Sequence, residues 1–421
     1  MKSKLIILVA LVVFPFISLK SQSEIINSLT NETTSNSFLV NQQLNFISTN
    51  KKIEHVFQIT MSKKDFKKLS RIGNIEKNYL SNCLLMHNDD TLNLKEIELR
   101  GRSSMNFTRK SFSIELDDKI SINKNGTFYK FNKFNLISLS MDHNYFRNYI
   151  AFDLMSHLNL FNLFYTYAEV IINGKTQGIY LMLQKPKDYA FKKENADFML
   201  RRNYENKIKK TYYQGKDSSL KLKYETAFSV LYNELIQKKE GQILYKELSE
   251  VLDIEQYFAW MAFNFLIGNR DYTDEVFFYN QNSGEHIKFG IIPWDYDDIF
   301  CENPHEGYVI RMLNFGDKLA FSSEDALDYK LISDEYTYKK YLQVLAHLIE
   351  EITISELKEV YELCYQELYP FYCKKDILKV CKVDKYGKTN LNGLESDMQN
   401  TFNWLVQRRE DIAKQLDSVI R

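Results

Sequence analysis

Between residues 53 and 184 several stretches alternate apolar and polar positions with a period of two, and beyond residue 225 the spacing is mostly helical. His55-Val56-Phe57-Gln58-Ile59 predicts a strand, and Ser62 stands where it would cap a short helix ending at Leu69. Ile97 and Leu99 alternate with charged residues, and Phe112, Ile114 and Leu116 alternate with Ser and Glu. Residues 95–118 therefore predict two strands joined by RGRSSMNFTRK. A strand-like patch covers 134–139. Helical spacing then takes over at Phe146, Tyr149, Ile150, Leu154 and Leu158, with Asp142 or Asn144 as the expected cap. Arg147 opposes the local helix dipole, so it is expected to serve a specific partner. The clearest hairpin is 167–184, whose two β-rich arms flank Asn173-Gly174, a dipeptide suited to positive φ at both turn positions.

The polar, Lys-rich stretch 185–223 reads as loop with patchy helix, and lid, insertion and plain surface loop fit it equally. Asp253 then caps IEQYFAWMAFNFLIG, apolar on nearly every face and so expected to be buried in the core. Two strands follow, 276–279 and 286–292, around a turn at 280–285. Three amphipathic helices close the chain, marked by Tyr341 to Ile349, Leu357 to Leu368 and Phe402 to Val419. The fold class is α+β, with small mixed or antiparallel sheets and a mostly helical C-terminal half.

Two acidic clusters interrupt this pattern. GNRDYTDE (268–275) opens where the core helix ends, and IIPWDYDDIF (291–300) places Asp295, Asp297 and Asp298 just after a buried strand. Carboxylates packed so closely repel one another and call for a cation or for hydrogen-bond donors. Mg²⁺ bridging to substrate phosphates would supply one, and solvation of the loops is the alternative. RGRSSMNFTRK gathers Arg100, Arg102, Arg109 and Lys110 around a glycine and small hydroxyl residues, as either a phosphate-binding loop or a solvated hairpin tip. Asp271, Asp295 and Asp297 with Arg100, Arg102 and Lys110 are the parts phosphoryl transfer needs, because its catalysis is mainly positioning and charge neutralisation. Structural ion pairs and a glycosidase carboxylate pair remain open on the same residues.

Composition narrows the classes. The chain has 421 residues, 44% of them apolar, with 55 basic and 55 acidic side chains. That balance removes the electrostatic argument for a nucleic-acid binder. Lys2 and Lys4, an apolar run over residues 5–19 and small residues at Ser18, Ser21 and Ser23 read as a signal peptide over 1–21 cleaved near Ser21. The run is shorter than the roughly 20 residues of a membrane span, and no later segment is apolar enough for one. The reading is thus an exported protein, periplasmic, cell-surface or extracellular, with a polar leader over 22–52 and one domain over 53–421. That domain is β-rich over 53–184 and mostly helical over 225–421. Among Cys83, Cys301, Cys364, Cys373 and Cys381 the last three could form a bridge, and their spacing lacks the pattern of a zinc site.

Five ordered blocks, RGRSSMNFTRKSFSIELD, HNYFRNYIAFDL, VIINGKTQGIYLML, GNRDYTDEVFFYN and IIPWDYDDIF, resemble the CotH family of spore-coat kinases from about Val56 to Arg421. The resemblance implies an atypical protein-kinase-like fold that uses ATP and Mg²⁺ on a protein substrate. Asp271 falls at the family's proposed catalytic aspartate, Asp295 at its metal-binding aspartate, and Asp297 at a second ligand. Arg100, Arg102 and Lys110 fall in the nucleotide-phosphate region, and Arg147 at the arginine of the family's DxxxxRN-like block. Two positions depart from the pattern. Gln184 stands where the family usually has a glutamate, removing a charge that could orient a lysine. Glu275 stands where an asparagine is usual, and its carboxylate would still bind metal. Secreted relatives include surface proteins with adhesive or polysaccharide-associated roles, so a kinase-like binding protein acting on a surface or extracellular partner is the second reading.

Overall fold

The computed structural model describes residues 42–69, 83–101, 103–203, 207–271, 273–281, 287–301, 318–321, 325–383 and 390–420. In the first half, strands β1 (Val56–Thr60), β2 (Leu84–His87), β3 (Asp90–Leu92), β4 (Leu94–Arg100), β5 (Ser111–Lys124), β6 (Thr127–Ile137), β7 (Tyr165–Ile172) and β8 (Lys175–Gln184) form one sheet. Its order is β3-β2-β1-β7-β8-β6-β5-β4, antiparallel except where β1 runs beside β7. Helix α1 (Lys63–Leu69) follows β1, and α2 (Arg147–His157) lies between β6 and β7. Asn173 and Gly174 take φ of 48° and 76°, as the hairpin reading requires.

The two faces of this sheet differ, and the difference prepares the site. Phe57, Ile59, Leu85, Ile97, Leu99, Phe112, Ile114, Phe134, Leu136, Tyr180 and Met182 make one face apolar across the sheet, with Phe66 of α1 packed against it. On the other face Tyr165, Tyr167, Leu181 and Leu183 join the core of the second half. Farther along that face the residues turn polar. Glu98 lies opposite Ser113, Arg100 opposite Ser111, Ser113 opposite Asn135 and Glu115 opposite Lys133. Because cross-strand partners share a face, β4, β5 and β6 present a continuous polar surface there.

The second half is built around a four-stranded sheet, ordered β10-β9-β11-β12, from β9 (Phe198–Asn203), β10 (Lys207–Tyr213), β11 (Val276–Gln281) and β12 (Lys288–Pro293). The helices of this half are α3 (Ser218–Val230), α4 (Gly241–Val251), α5 (Ile254–Leu266), α6 (Ala326–Ser333), α7 (Glu335–Glu351), α8 (Ile354–Tyr372), α9 (Lys375–Cys381) and α10 (Leu391–Ile420), of which α9 packs against β8 of the first sheet. Helix α5 is the expected core helix. Asp253 accepts the Gln256 N–H at its start, and every residue from Tyr257 to Leu266 is buried. Among the described residues no helix is long and apolar enough to cross a membrane.

The structure departs from the sequence reading at several points. The stretch expected as loop contains the β9–β10 hairpin, half of the second sheet. One of its charged residues, Arg202, is fully buried and bonded to Asp325, Asp328, Tyr257 and the Thr273 carbonyl. Within 22–52, residues 42–52 have no regular structure, yet Leu44 packs into the core and its N–H donates to Gln399 of α10. The five cysteines are free: Cys364 and Cys381 are buried and Cys373 exposed. The expected signal peptide lies outside the described residues.

Candidate active site

The two acidic clusters meet at the C-terminal end of α5. Phe300 N–H donates to Ile267 O at 2.8 Å and Cys301 N–H to Gly268 O at 3.1 Å. On the same seam Arg270 Nε pairs with Asp298 at 2.7 Å, so Asp298 ties the loops together. Trp294 N–H donates to Glu275 O at 2.8 Å, joining the start of β11 to the end of β12. Gly268 makes the approach possible. Its φ is +60°, and a Cβ there would lie 2.5 Å from Cys301 O and 2.8 Å from the Trp404 ring of α10. Arg408, one turn along α10, donates to the Phe265 and Leu266 carbonyls and so caps α5.

A second clamp comes from the turn before α2. Asp142, nearly fully buried, accepts the N–H groups of Arg147 and Asn148 and the Asn148 side-chain amide. It thus satisfies the helix start, as one of the two expected caps. Asn148 Oδ1 accepts Tyr296 N–H at 3.0 Å, and Arg147 donates to Ile299 O at 2.8 Å. Arg147 therefore has the specific partner its position implied, the backbone of the aspartate loop, while its Nε is buried without a hydrogen bond. Positive φ values gather here: Leu139 (53°), Asn144 (50°), Tyr145 (68°), Asp295 (58°) and Phe300 (61°). For bulky residues such backbone costs about 1–3 kcal/mol each and persists only where neighbours fix it. Tyr167 Oη on the Tyr145 carbonyl and Tyr372 Oη on the Asn144 carbonyl are such neighbours.

Asp295 is exposed to solvent at the start of the second acidic loop. Lost hydration raises its carboxyl, while Arg100, Arg201 and the Asp297 N–H oppose the rise. Asp297, half-buried, is pushed well above the usual carboxylate range, first by burial and then by Asp295, Asp142, Asp298 and Asp271. Asp271 is exposed and close enough to add to that repulsion. Glu275 is held on one oxygen by Arg201, and its Oε2 is buried with no hydrogen-bond partner. Burial first, then Asp295, drives its carboxyl well up.

The cations fall differently from the sequence reading. Arg100 comes to the site, its guanidinium 5.2 Å from the centre of the Trp294 ring and electrostatically coupled to Asp295 and Glu275. Lys110 is buried and donates to the Met105 and Phe107 carbonyls, both at 2.6 Å, so its ammonium braces its own loop. Arg109 likewise holds the hairpin through the Gln177 and Ile179 carbonyls. Arg102 lies outside the described residues. Gln184 accepts Phe164 N–H, and Lys110 is held by backbone carbonyls. Sequence reasoning missed Arg201, which pairs with Glu275 and donates to the Asp274 carbonyl from β9. It missed Asn148 too, although FRNY beside an Asp cap was a usable signal.

Among the described residues no three or more His, Cys, Asp or Glu side chains converge as a ready metal cage. Mg²⁺ does not demand one, since it is commonly held by one or two carboxylates together with phosphate oxygens and water. The mutual repulsion of Asp295 and Asp297 and the unpartnered Glu275 Oε2 suit such an ion.

The sequence matches the model of the family described as CotH kinase protein over residues 97–410. Inner spore coat protein H of Bacillus subtilis (strain 168) is 23% identical over 305 residues, covering 67% of this chain and 80% of that protein. A solved structure of the Shewanella oneidensis MR-1 toxin–antitoxin system HipA, HipB and its operator DNA is similar over 72% of this chain and 65% of that chain. The identity is 14% and the TM-score 0.28, a loose likeness of trace.

Proposed function

We propose, from the premise that this chain belongs to the CotH kinase protein family, that it is an exported atypical kinase. It would transfer phosphate from ATP to a Ser or Thr hydroxyl of a protein, with Mg²⁺. The observation that carries the reading is the convergence of Asp295 and Asp297 with Arg100 and Arg201 beside exposed Asp271. Asp295 and Asp297 would hold the metal together with phosphate oxygens and water. When bound, Mg²⁺ neutralises charge on the phosphates. Arg100, its guanidinium carbon 5.2 Å from the centre of the Trp294 ring, would offer charge to phosphate oxygens. Asp271 is open to solvent, where an acceptor hydroxyl can approach and hand over its proton. The strained, doubly clamped backbone of 295–300 keeps the carboxylates in place before substrate arrives, which is where electrostatic catalysis gains most.

Transfer of labelled γ-phosphate to a hydroxyl-bearing protein tests this. Asp271→Ala is expected to slow transfer roughly 10²–10⁴-fold while nucleotide affinity stays near wild type. Transfer by Asp271→Ala at the wild-type rate would sink the assignment. One observation favours a second reading, a kinase-like surface protein of weak or no activity acting as an adhesin or polysaccharide-associated module: Arg201 already holds one Glu275 oxygen. A wild-type chain that binds ATP but transfers nothing would select it.

A further inference from the structure

Arg201 of β9 and Arg100 of β4 come from different sheets and meet at one aromatic pair. The Arg201 guanidinium carbon lies 5.6 Å from the centre of the Phe277 ring, Phe277 meets Trp294 edge to face, and Arg100 lies over Trp294. Both arginines act electrostatically on Asp295. The donors of Arg201 are used unevenly. Its Nε donates to the Asp274 carbonyl at 2.9 Å, and its Nη2 pairs with Glu275 Oε1. Asp274 Oδ2 stands farther off, 3.9 Å from Nη2, and is paired with Lys209. A guanidinium well matched to a carboxylate engages both of its oxygens. Here only Oε1 is engaged, and Glu275 Oε2 is buried with no hydrogen-bond partner. A buried acceptor without a donor is costly, so this pair is poorly closed and open to exchange.

We propose that Arg201 is a phosphate-binding residue of this site and that Glu275 is its built-in competitor, holding the guanidinium until a polyphosphate displaces it. The inference rests on the nucleotide reading above. A phosphate group presents two oxygens to the guanidinium where Glu275 gives one. The unpartnered oxygen of Glu275 would also serve a metal, and the two roles differ in sign. A metal ligand strengthens Mg²⁺-dependent binding by its presence, whereas a competitor weakens it.

The test is the affinity of the full chain for ATP and for tripolyphosphate, each with Mg²⁺. Glu275→Gln keeps the size of the side chain and removes its charge, and it is expected to tighten both ligands about tenfold. Arg201→Met is expected to weaken both about tenfold. Glu275→Gln added to Arg201→Met is expected to change nothing further, because the first variant acts only by releasing the second residue. Melting temperatures without ligand show which variants fold. Glu275→Gln gives up a partly unsatisfied buried charge and decides the matter alone where Arg201→Met does not fold. Weaker binding by Glu275→Gln overturns the proposal in favour of a metal ligand, and unchanged binding overturns it outright while the nucleotide reading stands. Failure of both wild type and Glu275→Gln to bind either ligand overturns the nucleotide reading as well.

Discussion

His55 and His87 fix each other's protonation. His55 Nε2 faces the Asn123 carbonyl at 3.1 Å and must donate to it, so its Nδ1 accepts from His87 Nε2 at 3.2 Å. Both rings are buried and neutral, and burial followed by His55 lowers His87 to about 4. A histidine lowered in the folded chain contributes stability above its unfolded value, and that stability is lost as pH falls through 6.5 toward 4. Urea unfolding at pH 7.5 and 5 should differ by about 2 kcal/mol from His87 alone, and His87→Gln should reduce the difference. Asp297 has the opposite sign. Its raised carboxyl binds a proton more tightly folded than unfolded, so stability falls as pH rises past the ordinary carboxylate range. Asp297→Asn is therefore expected to stabilise the chain at pH 7 by an amount on the order of 1 kcal/mol while weakening metal-dependent nucleotide binding. Thermal unfolding with and without ATP and Mg²⁺ reads both effects.

At the scale of elements, the site depends on how closely the end of α5 approaches the second acidic loop. Gly268→Ala forces a Cβ against Cys301 O and the Trp404 ring at positive φ. It should cost about 2–4 kcal/mol in urea unfolding. Helix α5 was legible because its apolar run, Asp253 cap and closing glycine agree with one another. The 167–184 hairpin was legible through Asn-Gly. The β9–β10 hairpin was not. β9 is paired on both sides, which buries its apolar residues without alternation, and its arginines are interior groups satisfied by Asp325, Asp328 and Glu275 far along the chain. A buried arginine looks solvent-facing until its partners are known.

For the whole molecule, the carboxylates of the candidate site were legible and most of its cations were not. Asp271, Asp295 and Asp297 lie in two short acidic runs, and the seam at Arg270 and Asp298 brings those runs together. Arg100 and Arg201 come from β4 and β9, strands of two different sheets, and only the topology gathers them. RGRSSMNFTRK looked like a phosphate loop, yet two of its basic residues, Arg109 and Lys110, bond backbone carbonyls. The polar face of the eight-stranded sheet was likewise invisible, because it exists only once β4, β5 and β6 are in register. Our central proposal is that Arg100 on this face and the acidic loops together hold a metal–nucleotide complex. Its most direct test is the melting temperature of the full chain with ATP, with Mg²⁺ and with both. A ligand bound only by the folded state must raise that temperature. The account predicts a rise that requires ATP and Mg²⁺ together and disappears in Asp295→Ala. No rise in wild type, or an equal rise in Asp295→Ala, would contradict it.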